Sequence, residues 1–343
     1  MDIIQKKREV INELVRKYEG DKLKAIDFIS SDVLFENTGY GYTFALSKEI
    51  LSKLDFTGIS FDNFNASGYD FSNLTGISLN PQTVFNKSLK NSKLSGVNFI
   101  GGFDDVNIVS ADFTGSKNAV INPQTISGKS LHGTILDGVT IIGNYDGTKL
   151  FFTDFTNCNG NRVINPQSVL NKGLYGCTLN GITFEGNFDD AYISFANFTG
   201  SKNAVINPSR LKYETLAGTV CSDITFEGSF DGVDLYKTDF KGSKNAVINP
   251  QTINRASMIG CKFTDVVFYG TFENINVSNS SFNGSKNAKF DKTKIKKENR
   301  VNTDFTDAYV IGRHLEDKQT LKEKLEEYKK VLSSYIEIKQ KRI

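Results

Sequence analysis

GSKNAVINPQT, at Gly115–Thr125, recurs letter for letter at Gly242–Thr252. It returns as GSKNAVINPS at Gly200–Ser209, and its first half closes the series as GSKNA at Gly284–Ala288. A diverged copy, NRVINPQS, stands at Asn161–Ser168, and GISLNPQT at Gly76–Thr83 opens the set. The prolines Pro81, Pro123, Pro166, Pro208 and Pro250 mark a period of 42 or 43 residues. Such self-similarity is the signature of an array in which each unit buries the edge of its neighbour.

A shorter period lies inside each copy. From Val84 the apolar positions run Leu89, Leu94, Phe99, Phe103, Ile108 and Phe113, in steps of five with one step of four. The next copy reads Ile126, Leu131, Leu136, Ile141, Tyr145, Leu150 and Phe155. A period of five fits neither a helix (3.6) nor a strand (2). Two residues before many of these positions stands a small residue, then Asp or Asn, as in Ala111-Asp112-Phe113-Thr114-Gly115 and Thr303-Asp304-Phe305-Thr306-Asp307.

These motifs resemble the pentapeptide-repeat family over about residues 54–312. The resemblance implies an all-β array, a right-handed quadrilateral β-helix with four pentapeptides per coil and the bulky residue inside. Two coils need about forty residues, and the copy is slightly longer. The excess falls between Phe113 and Ile126, which makes the phrase a bulged corner on every second coil. Gly115 supplies the open backbone angle there, Pro123 interrupts the ladder, and Val120 with Ile121 replaces a missing inward residue.

Registering the copies aligns two outward columns. One is acidic: Asp104, Asp146, Asp189, Asp231 and Glu273. The other is Lys117, an Asn161-Arg162 variant, Lys202, Lys244 and Lys286, with Glu185 and Glu227 on intervening coils of the same face. Paired columns of this kind solubilise a surface, or present it to a partner. Quinolone-resistance relatives imply a second use, in which an acidic column imitates duplex phosphates and modulates DNA gyrase. One acid every ~10 Å beside lysines departs from that pattern, since a duplex carries a charge about every 1.7 Å. Direct nucleic-acid binding is not expected either, because the aromatics are assigned to the core.

The whole chain has 343 residues, with 41 Lys and Arg against 39 Asp and Glu. So near a balance sets up no strong overall field toward nucleic acid or membrane. Residues 1–53 are read as a helical N-terminal cap, with apolar spacing at Ile3, Val10, Ile11, Leu14 and Val15 and again in Thr43–Leu54. Residues 313–343 read as a C-terminal helix with a seam at Leu321, Leu325, Tyr328, Leu332 and Tyr335. That helix either plugs the last coil or joins two copies of the chain.

No apolar signal core or membrane span is evident, so a cytoplasmic protein is expected. Cys158, Cys177, Cys221 and Cys261 are widely spaced, without a CxxC pair, and read as buried thiols rather than metal ligands. His132 and His314 lie far apart in polar sequence, and Gly128-Lys129-Ser130 lacks the first glycine of a phosphate loop. With no catalytic constellation, metal or cofactor motif, the chain is read as a non-catalytic interaction scaffold for a protein partner of unknown identity. Gyrase is the alternative target.

Overall fold

The computed structural model describes residues 3–17, 23–24 and 34–311. Its central feature is parallel pairing between residues about twenty apart. One ladder runs Asp70, Lys93, Asp112, Ile135, Asp154, Thr178, Asn197, Val220, Asp239, Lys262, Ser281 and Asp304, each bridged to the next. This part of the chain is therefore an all-β stack of coils. At about 4.8 Å per coil, those twelve positions span roughly 50 Å.

Each coil sends four bulky residues inward. Ile121, Ile126, Leu131 and Leu136 serve one coil, and Ile141, Tyr145, Leu150 and Phe155 the next, all at most 3% exposed. Stacked, they form four inward rows, here numbered first to fourth in the order just given. In the fourth row the rings of Phe263 and Phe282 stack at 4.8 Å. Phe198 is fully buried there, 5.6 Å from Phe184 of the first row.

The small residues two positions earlier fill the space beside the fourth row. Their polar atoms do not go unpaired in this dry interior, where an unmet hydroxyl is costly. The Thr153 hydroxyl donates to the Leu131 carbonyl at 2.8 Å, and the Thr238 hydroxyl to Leu216 at 2.9 Å. Cys177 and Cys261 occupy the same positions, and their thiols donate to Leu150 and Leu235, each at 2.7 Å.

The repeated phrase builds the bulge on the first row. Lys117 pairs back to Asn98, but forward pairing to Thr140 is made from Val120. The three-residue shift is absorbed at Asn118, whose φ of 57° is left-handed, and at buried Ala119. Only Ile121 fills the inward slot; Val120 is 44% exposed, because alternate residues of a strand face opposite ways. The expectation that both replace the inward residue is corrected to Ile121 alone.

The rest of the phrase clamps the next coil. Asn122 accepts from the Gln124 amide at 3.0 Å, and the Gln124 side chain donates to the Asp146 carbonyl at 2.8 Å. Gln82, Gln167 and Gln251 repeat that bond to the carbonyls of Asp104, Asp189 and Glu273. The third copy carries one extra residue, so its pairing shifts from Asn159 to Val163. Tyr145, standing where other copies have Phe, donates to the Asn161 carbonyl at 2.9 Å. Arg162, standing where the later copies and the second have Ala, donates to the Asn180 carbonyl at 2.6 Å.

At the front, a helix spans Ile3–Lys17, with Ile3 and Val10 exposed. The helical reading of Thr43–Leu54 shrinks to one turn, Lys48–Leu51, because Tyr42–Phe44 pairs antiparallel with Phe35–Asn37. Buried Leu34, Ile50 and Leu51, with Phe44 packed 5.3 Å from Phe56, close that end of the core. The C-terminal helix of residues 313–343, with its Leu321–Tyr335 seam, lies outside the described residues. Among the described residues no helix is long and apolar enough to cross a membrane.

Candidate functional site

The two charged columns are not equivalent. Asp104, Asp146 and Asp231 are exposed beside the second row, whereas Asp189 is held by Arg210 at 3.3 Å and Glu273 by Lys294. Asp231 titrates below the usual carboxylate range because Thr252 and Ser229 donate to it. Lys117, Lys202, Lys244 and Lys286 line the first row, each bridged through its backbone to the preceding coil. None of the seven ion pairs among the described residues joins that column to Glu185 or Glu227. The interleaved lysine–glutamate pairing expected from registration does not close.

A different surface was hidden in the sequence. The turn that leaves the third row places the second residue after each inward one in the left-handed region. Asn91, Ser110, Gly133, Phe152, Gly176, Phe195, Gly218 and Lys237 take this position on successive coils, with φ between 56° and 68°. Asn, Ser and Gly tolerate that angle; a bulky aromatic is a true outlier there. Phe152 and Phe195 adopt it nevertheless, as does Tyr213 at 60° in the turn after the second row.

All three point into solvent, at 51%, 50% and 71% exposure. Their rings are not isolated. Phe152 lies 5.1 Å from Tyr175, and Tyr175 lies 5.5 Å from Phe195 and 4.8 Å from Tyr192. Tyr192 reaches Tyr213 at 5.6 Å, and His132 closes the other end at 5.8 Å from Phe152. The result is one continuous strip over about five coils, from His132 to Tyr213, with Asn107 and Ser110 at the corresponding positions of the coil before it.

Glycines on alternate coils make room for the rings. A Cβ at Gly176 would stand 2.5 Å from the Phe152 ring, and one at Gly218 would stand 2.4 Å from Phe195. Burial, followed by the neighbouring Tyr175 and Tyr213, raises the Tyr192 hydroxyl above its ordinary value, further from neutral pH, where any tyrosine is already protonated. The strip therefore offers flat apolar faces together with a hydroxyl donor.

Assigning all aromatics to the core, and His132 to polar surroundings, is corrected by this arrangement. The signal was available. Leu150 and Phe155 fill the inward slots of "KLFFTDF", leaving no inward slot for Phe151 or Phe152; Phe195 falls likewise between Ile193 and Phe198.

No group of three His, Cys, Asp or Glu converges among the described residues in a way that could hold a metal ion. No family model and no curated protein matches the chain. Among solved structures it is similar to HetL, a pentapeptide repeat protein involved in heterocyst differentiation regulation from the cyanobacterium Nostoc sp. strain PCC 7120. Identity there is 13% over 74% of this chain and 91% of that one, at a TM-score of 0.18. It is also similar to two trypsin-treated variants of QnrB1, a plasmid-mediated fluoroquinolone resistance protein. Those match at 11% identity over 73% and 77% of this chain and 95% and 91% of theirs, with TM-scores of 0.19 and 0.16.

Proposed function

We propose that this chain is a pentapeptide-repeat protein, a right-handed quadrilateral β-helix with helical caps, and that it acts without catalysis as a scaffold for another protein. Four inward residues per coil and the five-residue register support the fold reading. The observation that carries the function is the exposed aromatic strip. Three of its members hold backbone angles that Asn or Gly would adopt more cheaply, and clustered strain of this kind points to a functional surface. Large exposed apolar patches on an otherwise polar protein mark interaction sites.

Affinity capture tests the reading. Wild-type protein is compared with the double variant F152N/F195N and with D104N/D146N/D189N/D231N. The scaffold reading expects co-purifying proteins that the aromatic variant loses and the acid variant keeps. Identical sets from all three would sink it.

Gyrase mimicry is the weaker alternative. Two of the five acids in its column are neutralised by neighbouring cations, and the remaining three leave wide gaps. Supercoiling by gyrase, with and without a quinolone, is expected to be unaffected by the folded protein. Inhibition or protection lost in the four-acid variant would reverse the order of the two readings.

A further inference from the structure

The corners that follow Pro81, Pro123, Pro166, Pro208 and Pro250 are not alike. At four of them two backbone carbonyls converge on the side-chain amide of a clamping glutamine. Gln124 donates to Asn144 and Asp146 at 3.2 and 2.8 Å, and Gln251 to Thr271 and Glu273 at 2.9 and 3.0 Å. The fourth copy has Ser209 in the glutamine's place, and its hydroxyl turns back to the Asn207 side chain at 2.9 Å. The carbonyls of Ser229 and Asp231, which correspond to Asn144 and Asp146, receive no hydrogen bond among the described residues.

The same corner lacks a cation. Lys87, Lys129 and Lys172 take one backbone position in the first three copies, with φ between 44° and 49°. Lys87 lies 3.9 Å from Asp105, and Lys129 donates to the Gln124 side chain at 2.8 Å. Lys172 donates to the Asp189 carbonyl itself at 3.3 Å. At the fifth corner Lys294 supplies the charge by pairing with Glu273. In the fourth copy that position is Glu214, and its carboxylate lies against Gly232, where a Cβ would stand 3.2 Å from it. Glu214, Glu227, Asp231 and Asp234 join no ion pair among the described residues. Nearby cations are engaged elsewhere, Arg210 with Asp189 at 3.3 Å and Lys212 over the Tyr213 ring.

Two unpaired carbonyls beside carboxylates are the complement of an N–H donor that carries positive charge. The third copy shows which donor fits. There the equivalent carbonyl, that of Asp189, accepts from the Lys172 ammonium as well as from Gln167 at 2.8 Å. An anion is repelled from such a corner, and an apolar side chain would leave both carbonyls unmet.

We propose that the corner formed by Ser209, Glu214, Ser229 and Asp231 binds a primary ammonium group, that of a lysine side chain on the partner protein. The proposal deepens the scaffold reading, on which the source of the lysine rests. The full-length protein is titrated into a fluorescein-labelled peptide of five Gly-Gly-Lys repeats, and into the same peptide with every lysine acetylated. Salt is kept at about 0.15 M, which screens long-range attraction. Spermidine is titrated in parallel by calorimetry. Expected is saturable binding of the lysine peptide, weaker by about tenfold or more for the acetylated peptide and for S209Q. S209Q adds no charge and returns the residue that four copies already carry, so it fills the site from within and keeps the fold, which its melting curve checks. E214K, which restores the lysine of the first three copies, is expected to weaken binding as well. D104K makes the same change of charge at a corner that keeps its glutamine, and is expected not to.

Unchanged affinity in S209Q overturns the proposal, and so does equal binding of the acetylated peptide. Equal weakening in E214K and D104K reduces the effect to overall charge and overturns it too. Spermidine binding that S209Q abolishes, without binding of the lysine peptide, replaces the partner's lysine with a free polyamine. If no probe binds the wild type, the site falls. The scaffold reading is judged separately, by whether F152N/F195N still loses its captured proteins.

Discussion

The serine of the repeated phrase is an exception to the pairing that the core otherwise achieves. The hydroxyls of Ser201, Ser243 and Ser285 are buried without a protein partner, while the third copy places Cys158 at the same point. An unpaired buried hydroxyl costs about 1–3 kcal/mol. Ser201→Ala is therefore expected to raise stability to denaturant by about 1 kcal/mol, and a loss of stability would show that the hydroxyl is satisfied in solution. The cysteines extend the point. Burial pushes the Cys177 and Cys261 thiols up to about 12, and raises Cys158 and Cys221 too. None of the four is expected to react with a disulfide reagent in native protein near neutral pH, and all four after denaturation; one fast-reacting native thiol would contradict this burial. These interior positions were legible from the five-residue period. The left-handed turns were not, because a period reports which residues face inward and says little about what an outward residue does. Phe152 and Phe195 were readable as outward for lack of an inward slot, but their left-handed backbone was not.

Among the elements, the phrase and the front closure behave differently. The bulge was readable because thirteen residues separate Phe113 from Ile126 where ten would do, and excess chain has to leave the ladder somewhere. Its clamp was not readable: that Gln124 reaches the Asp146 carbonyl follows only once the coils are stacked. At the front, the one-turn helix is tied to the coils by Lys48, which meets Asp70 at 2.8 Å, with Lys93 at 3.9 Å on the following coil. The hydrogen bond from Lys48, set against burial and aided by Ser72, holds Asp70 at about 2, below its ordinary 3.8. A depressed carboxylate contributes stability that is complete above about pH 4 and is lost as pH falls toward 2. With the pair partly exposed, solvent limits that contribution to about 1 kcal/mol or less. Asp70→Asn should lower the melting temperature slightly above pH 5 and flatten its fall across this window, so that variant and wild type converge near pH 2, and added salt should mimic the variant (~10 Å screening at 0.1 M). An undiminished acid slope in Asp70→Asn would assign the effect to other carboxylates.

For the molecule as a whole, the balanced charge conceals a gradient. Twelve acids against seven bases between Leu131 and Asp239 give way to six against eleven between Phe240 and Gly312. Composition alone could not show this, because an average over the chain removes the axis along which the charges separate. Stacking also makes length modular. Pro208 and Pro250 follow the same Val-Ile-Asn, so deleting Pro208–Asn249 restores an intact phrase and removes two coils. The shortened protein is expected to fold, with its maximum dimension in small-angle scattering reduced by about 10 Å. Loss of cooperative unfolding in that variant would show that the copies are not interchangeable. The shared phrase thus turns the rod into a spacer graded in fixed increments. Unequal exchange between near-identical coding repeats would move whatever is attached at its two ends closer or farther by a set step, while every remaining face stays in register.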